Sequence, residues 1–212
     1  MEEILEKVKS WLEKGGEEAG EIAELPWDTD YVKDSRGEVV GLVAINPKVP
    51  VKLFVLDNRE VNAIRLMIHT GIYTADLEPA SKLKVYRKLL SLNKTPLAKI
   101  YLEGGDGEVV VASDLSTKTL GEEEFYDTLT FTLNTMLAIY NVYGIPAEVK
   151  QDMLANLVWM IKKRMEKGWN KERLEKFLVN KVGMNREDAD NLLNTVFQES
   201  GENGENSETL YV

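Results

Sequence analysis

Leu83-Lys84-Val85-Tyr86-Arg87-Lys88-Leu89-Leu90, Ala98-Lys99-Ile100-Tyr101-Leu102, Gly104-Gly105-Asp106-Gly107 and Val109-Val110-Val111-Ala112 succeed one another in the middle of the chain, and their spacing decides the fold. Leu83, Tyr86, Leu89 and Leu90 recur at helical intervals. The next two apolar runs are short, rich in β-formers and separated by a glycine turn. Phe125, Leu129, Leu133, Met136, Leu137 and Tyr140 then mark a long amphipathic helix. A helical period, a hairpin and a helical period follow in that order.

Working outward, Ile4, Leu5, Val8, Trp11 and Leu12 place a first helix over Glu3 to Lys14, which Gly15-Gly16 ends. A second acidic segment, Glu17 to Glu24, reads as a short helix before Leu25-Pro26. From Trp27 the pattern is extended, with a turn at Asp34-Ser35-Arg36-Gly37. Strands are predicted over Glu38 to Ile45, Val51 to Leu56 and Ala63 to His69, with Leu53, Val55, Leu66 and Ile68 on one face. The first two thirds therefore read α-β-β-β-α-β-β-α, an α+β fold with helices on one face of an antiparallel sheet.

At Gly144-Ile145-Pro146 the composition changes to helices alone, over Ala147 to Lys167, Asn170 to Lys181 and Asn185 to Gln198. Asn170 and Asn185 stand where N-caps belong, and Gly168 and Gly183 where helices end. The expected organisation is an α+β domain over 1–144, a three-helix extension over 145–198 and a disordered acidic tail over 199–212.

The 212 residues carry a net charge of -10, with 43% hydrophobic and 29% charged residues, so a sizeable core and a well-solvated surface are both available. Residues 1–144 hold 16 basic against 24 acidic side chains (-8), residues 145–198 hold 10 against 8 (+2), and the tail holds four glutamates (-4). The acidic larger part repels phosphate backbones. There is no cysteine, hence no disulfide, thiolate metal site or cysteine nucleophile. No apolar run approaches the ~20 residues that span a bilayer, and the acidic start is unlike a signal peptide. A cytoplasmic protein is expected. Abundant Glu and Lys with few Gln lean toward a thermophile, although fourteen asparagines pull the other way.

The Tyr86-Arg87-Lys88-Leu89-Leu90-Ser91-Leu92-Asn93 helix end, the hairpin, Asp114-Leu115 and the helix from Glu122 resemble the type III secretion chaperone-like fold, which includes the YbjN-like proteins. The resemblance covers about residues 1–143. It implies a non-enzymatic protein-binding module, often a homodimer, with no shared catalytic residues and no cofactor. The helices after Gly144 depart from those compact chaperones.

No constellation for chemistry accompanies this pattern. His69 is the sole histidine and lacks identifiable partners for a triad or a metal. Gly104-Gly105-Asp106-Gly107 lacks the Lys-Ser/Thr and the following helix of a phosphate loop, so it reads as a hairpin turn. Glu122-Glu123-Glu124 suit the positive end of a helix. The candidate contacts with a protein partner are Trp11, Phe54, Trp169 and Phe177. The alternative is nucleic-acid binding through Lys162, Lys163, Arg164 and Lys167, within a stretch over 162–181 that has eight bases and three acids. Leu210-Tyr211-Val212, after a polar tail, has the character of either a docking peptide or a plain chain end.

Overall fold

Alternating apolar residues build one antiparallel sheet in this computed structural model, which describes residues 2–15 and 22–205. Its strands are β1 (Asp28–Lys33), β2 (Val39–Ile45), β3 (Leu53–Asn58), β4 (Ala63–Tyr73), β5 (Lys99–Glu103) and β6 (Glu108–Ser116). They lie in the order β1-β2-β3-β4-β6-β5, every neighbour antiparallel. The period of two sends Leu53, Val55, Ile64, Leu66, Ile68, Val109 and Val111 to one face, where each is buried to 1% exposure or less. The registers Val55↔Leu66 and Ile68↔Val111 put these side chains side by side across strands.

Two helices supply the other half of this core. From α1 (Glu2–Lys14) come Leu5, Val8 and Leu12; from α3 (Glu122–Tyr143) come Phe125, Leu129, Leu133, Met136 and Ile139. Phe125 is fully buried and meets the Trp11 ring at 5.7 Å, while Tyr126 Oη donates to the Trp11 carbonyl at 2.5 Å. Glu122, Glu123 and Glu124 occupy the first turn of α3, where the helix dipole favours them. The fold class is α+β, as the pattern predicts.

Three differences from the sequence reading have physical causes. The extended segment after Trp27 is a full strand, β1, so the order is α-β-β-β-β-α-β-β-α. Asp28 and Asp30 depress its β propensity, and it forms because β2 pairs with it from Asp28↔Ile45 to Lys33↔Val39. Strand β4 runs past His69 to Tyr73 through a bulge, with Gly71 at φ +67° absorbing the distortion. The described part of the acidic segment, Ile22–Glu24, is a single 3-10 turn; residues 17–21 lie outside the described residues.

The chain divides into two compact units, Met1–Met153 and Leu154–Val212. Val149 belongs to the first core, at 7% exposure. Among its described residues the second unit has helices and no strand. The end of α4 (Ala147–Glu166), α5 (Lys171–Phe177), a π turn (Leu178–Val182) and α6 (Arg186–Glu205) enclose Leu157, Ile161, Leu174, Leu178, Ala189, Leu193 and Val196. Asn170 and Asn185 cap as their positions predict, accepting from Arg173 N at 2.9 Å and Asp188 N at 2.8 Å. Gly183, at φ +84°, ends the π turn, and α6 continues past Gln198. Residues 206–212, with Leu210, Tyr211 and Val212, lie outside the described residues. No helix among the described residues is long and apolar enough to cross a membrane.

Candidate functional site

Helix α2 (Pro79–Leu92) is apolar on more sides than the core can use. Proline at its start supplies the φ that a first helical position needs. Leu89 turns inward and is 5% exposed, whereas Leu83 stays 53% and Leu90 69% exposed. The connection to β5 adds Leu97, at 59% and φ +64°, and β5 itself adds Leu102, at 41%. Tyr86, Leu89, Leu90, Asn93, Ile100, Tyr101 and Leu102 line a shallow apolar groove of about 250 Å3 between α2 and β5. β5 ends the sheet, with β6 as its only strand neighbour among the described residues. On the groove side, Asn93 Nδ2 donates to the Ile100 carbonyl at 3.1 Å, and Ile100 N donates to Asn93 Oδ1 at 2.6 Å.

The opposite face of the sheet is charged at both ends of its strands. Arg65 Nε and Nη2 donate to Asp114 at 2.7 and 3.2 Å, and Lys99 bonds the same carboxylate. The Arg65 bond holds the Asp114 carboxyl below its ordinary range; partial desolvation opposes this and Lys99 assists. A polar cleft of about 450 Å3 nearby is lined by Asp34, Arg36, Glu38, Asp57, Glu60 and Arg65 among others. Both guanidiniums there are already paired, Arg36 with Asp34 and Arg65 with Asp114.

His69 stands at the other end of these strands. Its Nδ1 lies 2.9 Å from Glu108 Oε2 and its Nε2 lies 3.9 Å from Glu103. Glu103 and Glu108 face each other directly across β5 and β6, and the His69 ring stands beside both. Glu108 also accepts from Gly71 N at 3.2 Å. Behind it, Tyr140 Oη donates to the Thr70 carbonyl at 2.9 Å; burial first, and then the Glu108 charge, push that phenol above its ordinary range. These bonds tie β4 to the hairpin. Among the described residues, no group of three His, Asp or Glu side chains is placed to hold a metal ion.

The glycine turn is a hairpin, with Gly104 and Gly107 at φ +69° and +65°. The Asp106 and Gly107 carbonyls accept from Thr74 N and Ala75 N, which anchors the tip to the start of the α2 connection. A side chain at 107 would come within 2.5 Å of Thr74 Oγ1.

The residues expected to contact a partner separate. Trp11 packs half-buried against Phe125 in the first core. Phe54 lies on the charged face of the sheet, edge-on to His69 at 5.8 Å. Trp169 and Phe177 meet in the second unit at 6.2 Å. The Arg164 guanidinium covers both, 4.1 Å from the Phe177 ring and 5.5 Å from Trp169, and Arg173 covers Trp169 at 3.9 Å. Much of the basic stretch is engaged inside its own unit. Lys163 lies over Trp159, Arg164 donates to the Met160 carbonyl, Lys171 pairs with Asp190 and Lys176 with Glu172. Lys162 and Lys167 are exposed. Sequence reasoning missed the exposure of Leu83, Leu90, Leu97 and Leu102. The signal was a helix with more leucine than one buried stripe requires.

A family model described as a domain of unknown function, DUF8183, matches residues 7–142. The chain belongs to that family. A second model, HTH_78, likewise described as a domain of unknown function, matches residues 144–207. All residues lining the α2–β5 groove fall inside the DUF8183 span. No curated protein matches the sequence. Solved structures with a similar fold include YbjN from E. coli, at TM-score 0.42 and 16% identity over 66% of this chain and 92% of that one. An uncharacterised protein from Methanothermobacter thermautotrophicus is similar at TM-score 0.45 and 14% identity, over 65% and 94%. The HopA1–SchA chaperone–effector complex is similar at TM-score 0.41 and 12% identity, over 63% and 93%.

Proposed function

We propose that the first unit is a non-enzymatic, chaperone-like protein-binding module whose contact surface is the α2–β5 groove. The observation that carries this is the exposure of Leu90 and Leu102, at 69% and 41%, in the lining of an apolar depression beside a sheet edge. Contiguous apolar surface of this kind marks interaction sites. Covering it contributes about 25 cal/mol per Å2 of apolar area removed from water, partly offset by the entropy lost on association. The groove's polar atoms on Asn93 are already bonded to Ile100, so its occupant offers apolar side chains. The same reading includes a homodimer in solution.

Cross-linking mass spectrometry on complexes captured from native lysate tests this. The expected links join a partner to Lys84, Lys88, Lys94 or Lys99, and Leu90→Asp with Leu102→Asp removes them while the fold is kept. Native mass spectrometry of the purified chain reads the dimer. Capture that ignores both substitutions would refute the groove assignment. Nucleic acid recovered instead, and lost on Lys162→Glu with Lys163→Glu, would transfer the activity to the second unit.

A further inference from the structure

In the segment Lys99-Ile100-Tyr101-Leu102-Glu103, the strand at the end of the sheet is charge-complementary to itself. Place a second copy of β5 antiparallel to the first and centre the pair on Tyr101. Lys99 of each copy then faces Glu103 of the other, at both ends of the pair. Ile100 of each copy faces Leu102 of the other.

The hydrogen-bonding parity allows this register. In an antiparallel ladder the N–H and C=O of one residue point to the same side, and successive residues alternate sides. Ile100 gives both groups to Asn93, away from β6. By the alternation, Leu102 directs its pair to the same outer side. Ile100 and Leu102 are therefore the residues that an added strand would engage, and the self-paired register matches them to each other.

Asn93 closes this edge. It is the C-cap of α2, at φ -65° and ψ 0°, with its own N–H bonded to the Leu89 carbonyl. The helix end thus delivers a side-chain amide onto Ile100, with one donor and one acceptor. Those two bonds are the ones a residue of a neighbouring strand would make. Sheet edges with unsatisfied groups recruit other strands, and proteins blunt them with local devices.

We propose that Asn93 is an edge lock, holding apart two copies of this chain whose β5 strands would otherwise join their sheets. This does not rest on the groove holding a protein partner, because it is carried by the backbone groups of Ile100 and Leu102, although both residues and Asn93 also line that groove.

The test uses the full chain with Asn93→Ala, compared with the native protein by analytical ultracentrifugation and residue-resolved amide exchange. At low concentration the Ile100 amide of Asn93→Ala should exchange on the order of tenfold faster than in the native protein. As concentration rises, the variant should double its mass relative to the native chain, with Ile100 and Leu102 becoming protected together. Adding Glu103→Lys, which sets like charges against Lys99, should abolish the doubling and leave the fast exchange. Asn93→Asp keeps the acceptor for Ile100 N and loses the donor, so it should associate more weakly than Asn93→Ala. An Asn93→Ala chain that is folded, exchanges quickly at Ile100 and never exceeds the native mass would overturn the proposal. So would doubling that survives Glu103→Lys unchanged.

Discussion

Gly41 has room for hydrogen and for nothing larger. A Cβ there would sit 2.3 Å from the Val55 carbonyl oxygen, in a strand that β3 already closes. Gly41→Ala should lower stability by about 1–3 kcal/mol through overpacking, read as a lower urea midpoint with an unchanged slope. Asp114 governs a different variable. Its folded carboxyl titrates below its unfolded range, so its contribution is present above the unfolded pKa and is lost as pH falls through the folded one. In Asp114→Asn the acid limb of the stability profile, below about pH 4, should flatten, with about 1 kcal/mol lost near neutrality. Little of this was legible in the sequence. The chain names Asp114, Arg65 and Lys99, but only the register Arg65↔Asp114 and Lys99↔Ala112 brings them to one place.

Among the elements, α2 separates packing from recognition within adjacent residues. Leu89→Ala should cost about 2–5 kcal/mol, because a buried leucine leaves a cavity. Leu90→Asp should leave the unfolding midpoint nearly unchanged and abolish partner capture. Thermal melts and the capture experiment together check the pair. In the second unit, Asn170→Ala should destabilise by about 1 kcal/mol through loss of the cap to Arg173 N, seen as faster amide exchange in α5. The elements were mostly legible because their apolar periods are long and clean. β1 was only half visible, since its aspartates hide a strand that pairing creates. The bulge in β4 was invisible, because the alternating pattern ends at His69, and Gly71, at positive φ, carries the strand on to Tyr73. The groove was legible only as excess: the period shows that α2 is a helix, but tertiary packing decides which leucines stay outside.

For the molecule as a whole, the first hydrophobic cluster is complete within residues 1–153 and includes Val149. A fragment of residues 1–153 should fold alone, with native-like near-ultraviolet circular dichroism. A fragment ending at 144 should be less stable by about 1–3 kcal/mol, from the lost burial of Val149; denaturant titration compares them. The sheet order also has a consequence for how the chain is made. β1 to β4 form a meander of neighbours in sequence, and α1, already synthesised, packs on β1 and β2. The helix that packs on β4 and β6 is α3, which leaves the ribosome only after the whole hairpin. During that interval Ile64, Leu66 and Ile68 have no roof, and until β6 emerges β4 has an unpaired edge. Newborn chains stalled before Glu122 are therefore the ones that a ribosome-associated holdase should bind most tightly.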